Sequence, residues 1–204
     1  MTRLTLRQLI LGLAFAALPV QAATEENSNP PDIAIFAGGC FWCMEPPFDN
    51  IEGVISTTSG YTDGQLSNPS YKQVSSGGTG HTEALKIEYD SSIVSYKDLL
   101  EVFWVNIDPV AENRQFCDVG SQYRSGIYYL DDRQKMAALA SLEKLQNSGR
   151  FEQPITTEIK PATTFYPAEQ YHQDYYIKNP IRYKFYRTNS RRDASVDDIW
   201  GEHR

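Results

Sequence analysis

The most reactive side chains of this 204-residue chain stand together in Gly38-Gly39-Cys40-Phe41-Trp42-Cys43. A cysteine attacks as its thiolate, so a working nucleophile needs a lowered pKa and an open approach. The run Ile33-Ala34-Ile35-Phe36-Ala37 reads as a short buried strand, and the glycine pair turns it sharply into a helix. At such a junction Cys40 would meet unpaired N–H groups and the positive end of a helix dipole, with the glycines keeping bulk away from the sulfur. Cys43 follows one helical turn later, within reach of a disulfide to Cys40. Phe41 and Trp42 beside an exposed thiolate would form an apolar wall suited to a small nonpolar group such as a methyl. Glu83 follows Gly80-His81-Thr82 at a loop-to-strand junction. Next to an aromatic pocket, its carboxyl would stay protonated and could donate a proton.

The rest of the composition narrows the choice. Cys117 is the third and last cysteine, and an odd number in an exported protein points to thiol chemistry rather than to staples alone. There is no second C-x-x-C and no H-x-x-x-H, so neither a metal site nor a bound cofactor is expected. The net charge of −7 argues against a nucleic-acid partner, which needs clustered Lys and Arg. The chain opens with Arg3 and Arg7, an apolar run over 9–18, and small residues ending at Ala22. That is the order of a secretory signal, and the run is shorter than the roughly 20 residues that span a bilayer. Residues 1–22 are therefore expected to direct export, to a bacterial periplasm, and 23–32 to form a flexible leader.

These residues must be positioned by alternating elements. Strands are expected at 33–37, 53–61, 84–89, 125–130 and 155–160, and helices at 40–48, 95–107, from 131 to about 147, and 168–178. Ser95 and Asp131-Asp132 are the expected caps. The pattern predicts one mixed sheet with helices packed on it, an α/β or α+β domain over 33–180. Long loops at 62–80 and 108–124 would bracket a site. The arginines between 182 and 192 read as part of a solvated tail over 181–204.

Several blocks in this order resemble the peptide methionine sulfoxide reductase A family. They are Gly38-Gly39-Cys40-Phe41-Trp42-Cys43-Met44-Glu45, Gly60-Tyr61-Thr62-Asp63-Gly64, Asn68-Pro69-Ser70-Tyr71, Gly77-Gly78-Thr79-Gly80-His81-Thr82-Glu83, Asp118-Val119-Gly120-Ser121-Gln122-Tyr123-Arg124-Ser125 and Ala168-Glu169-Gln170-Tyr171-His172-Gln173. Asp63 stands where the family carries a glycine. The resemblance implies an α+β fold (an α/β roll with a ferredoxin-like mixed sheet) and reduction of the S-epimer of methionine sulfoxide, free or in oxidised proteins. It implies Cys40 as nucleophile and Glu83 as proton donor. Phe41 and Trp42 would hold the methyl, Tyr71 and Tyr123 would assist at the oxygen, and Asp118 would order the pocket. His81 and His172 read as structural hydrogen-bonders.

The cysteine-bearing C-terminal tail of many relatives is missing, since nothing after Cys117 is cysteine. Cys43 and Cys117 are thus the two candidates to condense with a Cys40 sulfenic acid, with Cys43 favoured because it is sequence-local. A thioredoxin-like partner would supply electrons to a monomeric enzyme. A thioredoxin-like C-x-x-C disulfide oxidoreductase is the alternative enzyme, and a binding module with a Phe41-Trp42 pocket the alternative outside enzymology.

Overall fold

Asp32–Gly38 (β1) is apolar almost throughout because both of its faces are covered. Ala34 and Phe36 point into the main core, and Ile35 and Ala37 into a second cluster with Ala84 and Tyr128. The structure is a computed structural model in which residues 30–201 are described. The expected signal over 1–22 and most of the expected leader fall outside that range.

Val54–Thr62 (β2), Thr82–Tyr89 (β3), Ser125–Tyr129 (β6), Glu158–Pro161 (β7) and Tyr166–Pro167 (β8) join β1 in a six-stranded sheet. The order is β7-β6-β1-β3-β2-β8. The β6–β7 pair is parallel and the other pairs are antiparallel, which makes the predicted mixed sheet. Arg114–Gln115 (β4) and Asp118–Val119 (β5) form a small separate ribbon. Three helices cover the main-core face: Phe41–Asp49 (α1), Tyr96–Trp104 (α3) and Asp132–Asn147 (α4). Both predicted caps are present. The Ser95 hydroxyl accepts from the Asp98 amide at 3.2 Å, and the Asp131 carboxylate accepts from the Gln134 amide at 2.8 Å. Each cap contributes about 1 kcal/mol.

Two expectations are corrected. Residues 168–178 do not form one helix; the chain runs through turns and only Tyr175–Lys178 (α5) is helical. The interruption has a cause. The Gln173 amide is tied to Ser59 and to the Ala168 carbonyl, and Asp174 takes a left-handed φ of 53°. A five-residue helix, Tyr71–Ser75 (α2), also forms inside the long loop at 62–80.

The larger correction is at the C-terminus. The segment read as a solvated tail is two helices, Pro180–Asn189 (α6) and Arg192–Trp200 (α7), docked on the domain. Pro180 sits in the first turn, where its missing N–H costs nothing. Val196 and Trp200, one helical turn apart, join the main core, and the Trp200 indole N–H donates to the Ile107 carbonyl at 2.8 Å. Arg192 is 2% exposed. Arginine is seldom buried, so charge alone favoured solvent for this segment.

Trp200→Ala is expected to lower stability by about 3–5 kcal/mol, read as a shifted urea midpoint. A loss below about 0.5 kcal/mol, the scale of a surface change, would show that α7 is not part of the folded core.

Candidate active site

Gly39 makes the turn between β1 and α1 with φ of +81°, and a Cβ there would lie 2.5 Å from the Gln115 Cβ. Only glycine fits both the left-handed backbone and the space. Cys40 is therefore the residue immediately before α1, 6% exposed, and Cys43 lies one turn on with its amide on the Cys40 carbonyl at 3.0 Å. All three cysteines are free thiols; Cys40 and Cys43 are buried and Cys117 is exposed.

The first amide of α1 does not serve the sulfur. The Phe41 N–H donates to Glu83 Oε2 at 3.1 Å, with both groups buried. β3 delivers Glu83 by its register against β2, which places Tyr61 opposite Glu83. Glu83 is 1% exposed, and burial pushes its pKa up to about 8 against the opposing pull of the Phe41 amide. Nearby Asp118 and Cys43 add to the rise. At neutral pH the carboxyl is mainly the neutral acid that sequence reasoning placed there.

The thiols depart from expectation. Cys40 was expected to be exposed and acidified by the helix tip, but it is buried, and that burial, then the Cys43 thiol, and then Glu83 and Asp118 hold its pKa well above the usual thiol range. Cys43 is instead pulled down to about 7 by the Cys40 thiol and, against its own burial, by the charges of Arg192 and Arg187. Burial outweighs the helix tip, and the Phe41 amide at that tip donates to a carboxyl 42 residues away. Glu83 and Asp118 disfavour a Cys40 thiolate, whereas Arg192 and Arg187 favour one at Cys43.

Aromatic rings enclose this polar centre. Phe41 is buried against Tyr61, with centroids 6.0 Å apart, and stacks on Tyr71 at 6.4 Å. Trp42 stacks on Tyr175 at 3.8 Å and meets Tyr186 edge-on at 5.9 Å. Tyr71, Tyr123 and Tyr186 are half-buried. Each has its phenol pKa raised, first by burial and then by the nearby charges of Glu83 and Cys40 for the first two and of Cys40 for Tyr186. All three remain hydrogen-bond donors at neutral pH.

The block around 168–173 is the rear support. The Trp42 indole donates to His172 Nδ1 at 3.0 Å, and burial keeps that imidazole neutral. Glu169 accepts from the Tyr61 hydroxyl at 3.0 Å and from the Tyr71 amide at 2.8 Å. His81 bonds the Leu66 carbonyl at 2.7 Å, so both histidines are hydrogen-bonders as expected.

Arg124 fastens the two long loops together. Its guanidinium donates to Asp63 at 2.9 Å, the Gly80 carbonyl at 3.1 Å, the Ser121 carbonyl at 2.8 Å and Glu158 at 3.1 Å. Asp63 keeps a glycine-like φ of 59°, and its carboxylate also accepts from Lys160 at 3.1 Å. These bonds offset the cost of that backbone, about 1–3 kcal/mol for such conformations, and account for an aspartate where a glycine is usual.

The structure thus gathers Cys40, Cys43, Phe41, Trp42, Tyr71, Glu83, Asp118 and Tyr123 around one centre. Cys117 stands at its edge, with Sγ 3.7 Å from Asp118 Oδ1. Sequence reasoning missed Tyr186, whose hydroxyl donates to Asp118 Oδ2 at 2.6 Å, and also Arg187 and Arg192. Tyr183, Tyr186 and Arg187 fall at helical spacing behind Pro180, which was the available signal. Among the described residues no group of His, Cys, Asp and Glu could hold a metal ion.

Comparison with known proteins agrees with this geometry. The family model described as peptide methionine sulfoxide reductase matches residues 32–204. The chain is 49% identical over 175 residues to the peptide methionine sulfoxide reductase MsrA of Bacillus pumilus, covering 86% of this chain and 98% of that one. It is 52% identical over 167 residues to the MsrA of Streptococcus equi subsp. zooepidemicus, covering 82% and 98%. Among solved structures it matches reduced Mxr1 of Saccharomyces cerevisiae, with a TM-score of 0.70 and 31% identity over 74% of this chain and 87% of that one. The methionine sulfoxide reductase A of Corynebacterium diphtheriae gives a TM-score of 0.67 and 32% identity over 76% and 78%. A neutral acid beside a thiol pair in an aromatic pocket, together with these matches, sets the disulfide-oxidoreductase and binding-module readings aside: the chain belongs to the peptide methionine sulfoxide reductase family.

Proposed function

We propose that the protein reduces the S-epimer of methionine sulfoxide, free or within oxidised proteins, through a Cys40 sulfenic acid that Cys43 resolves. The observation that carries this reading is the buried Glu83 carboxyl, neutral at physiological pH and held on the Phe41 amide next to the cysteine pair.

A sulfoxide oxygen leaves sulfur readily only when protonated, so a neutral acid must face the nucleophile. Once Cys43 has ionised, the two sulfurs of the pair hold one proton between them, and moving it to Cys43 frees Cys40 to attack the sulfoxide sulfur. Glu83 gives its proton to the oxygen, and the Tyr71 and Tyr123 hydroxyls share its hydrogen bonds. The oxygen ends on Cys40 as a sulfenic acid and the thioether leaves as methionine. Phe41 and Trp42 supply the apolar wall for the methyl, and Asp118, fixed by Tyr186, orders the opposite side.

Cys43 then forms a disulfide with Cys40, releasing water. Cys43 rather than Cys117 is the resolver because it lies one turn from Cys40 and is the more acidic thiol, whereas burial and Asp118 raise the pKa of Cys117. Yeast Mxr1 has been seen in complex with Trx2. A thioredoxin-like donor for this chain fits a disulfide that must be opened by an external thiolate. The signal-like order of residues 1–22 supports export, to a periplasm where that donor must itself be kept reduced.

With dithiothreitol as reductant, methionine should be released from the S-sulfoxide and not from the R-sulfoxide, and Cys40→Ser should abolish release. Equal turnover of both epimers would refute the assignment. Glu83 has a raised pKa, so its acid form is present below about 8 and is lost as pH rises through that value. First-turnover methionine release should therefore fall above about pH 8. Glu83→Gln should cost about 10²–10⁴-fold and remove that alkaline limb; a loss under about threefold would mean another proton donor.

A further inference from the structure

Arg192 is a buried cation with no carboxylate bonded to it among the described residues. Its Nη2 donates to the Gly38 carbonyl at 2.9 Å, the Asn106 carbonyl at 2.8 Å and Met44 Sδ at 3.0 Å, all of them neutral acceptors. The guanidinium carbon lies 4.7 Å from the centroid of the Phe116 ring, and Nε is buried without a hydrogen-bond partner. By contrast, Arg187 is paired with Asp193 at 2.6 Å while its Nη1 donates to the Cys43 carbonyl at 3.0 Å.

A lone charge in a protein interior is destabilising unless an opposite charge answers it, and an apolar side chain of similar volume would fill the space without that cost. The acidic groups whose charge would favour the Arg192 cation are Cys43, Cys40 and Tyr186. The arginine is also held in place with some backbone strain: Arg191, the residue before α7, has a left-handed φ of 53°. A Cβ at Gly39 would lie 3.4 Å from Arg192 Nη1, so the guanidinium rests against the turn that carries Cys40.

We propose that Arg192, assisted by Arg187, is a positioning residue for the second chemical step: its otherwise unanswered charge keeps Cys43 as the thiolate that attacks the Cys40 sulfenic acid. In that step the Cys43–Cys40 S–S bond forms and the S–O bond of the sulfenic acid breaks. The Cys43 sulfur is oxidised and the Cys40 sulfur reduced, and the departing hydroxide takes a proton from solvent to become water. When an external thiolate later attacks the Cys40 sulfur of the disulfide, the same charge favours Cys43 as the leaving thiolate. The titratable and charged groups around Cys43 are Cys40 on its own helix, Glu83 from β3, Cys117 from the loop before β5, Tyr183, Tyr186 and Arg187 from α6, and Arg192 from α7. Only the two arginines favour the anion by charge.

This inference rests on Cys43 as the resolving thiol, and one experiment separates the two ideas. The full chain, reduced and freed of reductant, is mixed with one equivalent of S-sulfoxide; methionine release and loss of free thiols are timed separately, and the disulfide is mapped by mass spectrometry. Arg192→Met at pH 7 is expected to slow disulfide formation about tenfold more than methionine release, because a thiol pKa raised by more than a unit depletes the thiolate. When the sulfenic acid is formed at pH 7 and then jumped to about pH 9.5, where an unassisted thiol ionises, the defect should shrink, and Arg192→Lys should recover most of the rate. Arg187→Gln should show the same pH-dependent defect in smaller measure, and with Arg192→Lys it carries the test if Arg192→Met fails to fold. A defect equal at both pH values, a lysine variant no better than methionine, or an unchanged ratio of the two steps would overturn the arginine's role. A Cys40–Cys117 bond in the unmodified protein would overturn Cys43 as resolver instead.

Discussion

The bond from the Phe41 amide to the Glu83 carboxyl ties the first turn of α1 to β3 at the point where both reach the reactive centre. A helix N-terminal amide favours carboxylate, and burial opposes it; burial prevails, leaving a carboxyl with a pKa of about 8. That outcome requires a dry pocket, so the surrounding rings are part of the acid's chemistry. Phe41, Tyr61 and Tyr71 exclude water, and Glu169 and His172 hold those rings and Trp42 in place from behind.

Charge is distributed unevenly over the two cysteines. With the helix amide engaged by Glu83, a thiolate at Cys43 is favoured by the Cys40 thiol and then by the arginines of α6 and α7. The acids raise the Cys40 thiol and the arginines favour the Cys43 thiolate, so one pair of sulfurs divides two tasks. A thiol that keeps its proton until substrate arrives is protected from stray oxidation, since susceptibility follows thiolate character and access. The C-terminal helices therefore belong to the site as much as to the core: Trp200 packs beneath, Tyr186 braces Asp118, and Arg192 reaches the Gly38-Gly39 turn from 154 residues away.

Much of this was legible in the chain. The strand, glycine turn and cysteine pair are contiguous, so their local arrangement follows from period and turn chemistry. The mixed sheet follows from alternating elements, and the Ser95 and Asp131 caps from residue type alone. Glu83 could be suspected from its junction, and the resemblance of several ordered blocks gave it a role. What escaped was non-local. Nothing near Cys40 in sequence reveals that its helix amide is already occupied. Arg187 and Arg192 look like solvent-facing charges because most arginines are, and only the spacing of Val196 and Trp200 betrayed a buried helix face. The left-handed Asp174 that breaks the expected helix over 168–178 is likewise a consequence of packing, with Gln173 bonded to Ser59 across the domain.

The central claim is that an uncharged Glu83 faces the cysteine pair in the resting protein. Infrared difference spectroscopy between the reduced protein and its Glu83→Gln variant tests it without turnover. The account predicts a protonated-carboxyl C=O band at pH 6.5 that gives way to carboxylate bands as pH rises through about 8. Carboxylate bands already complete at pH 6.5 would contradict it.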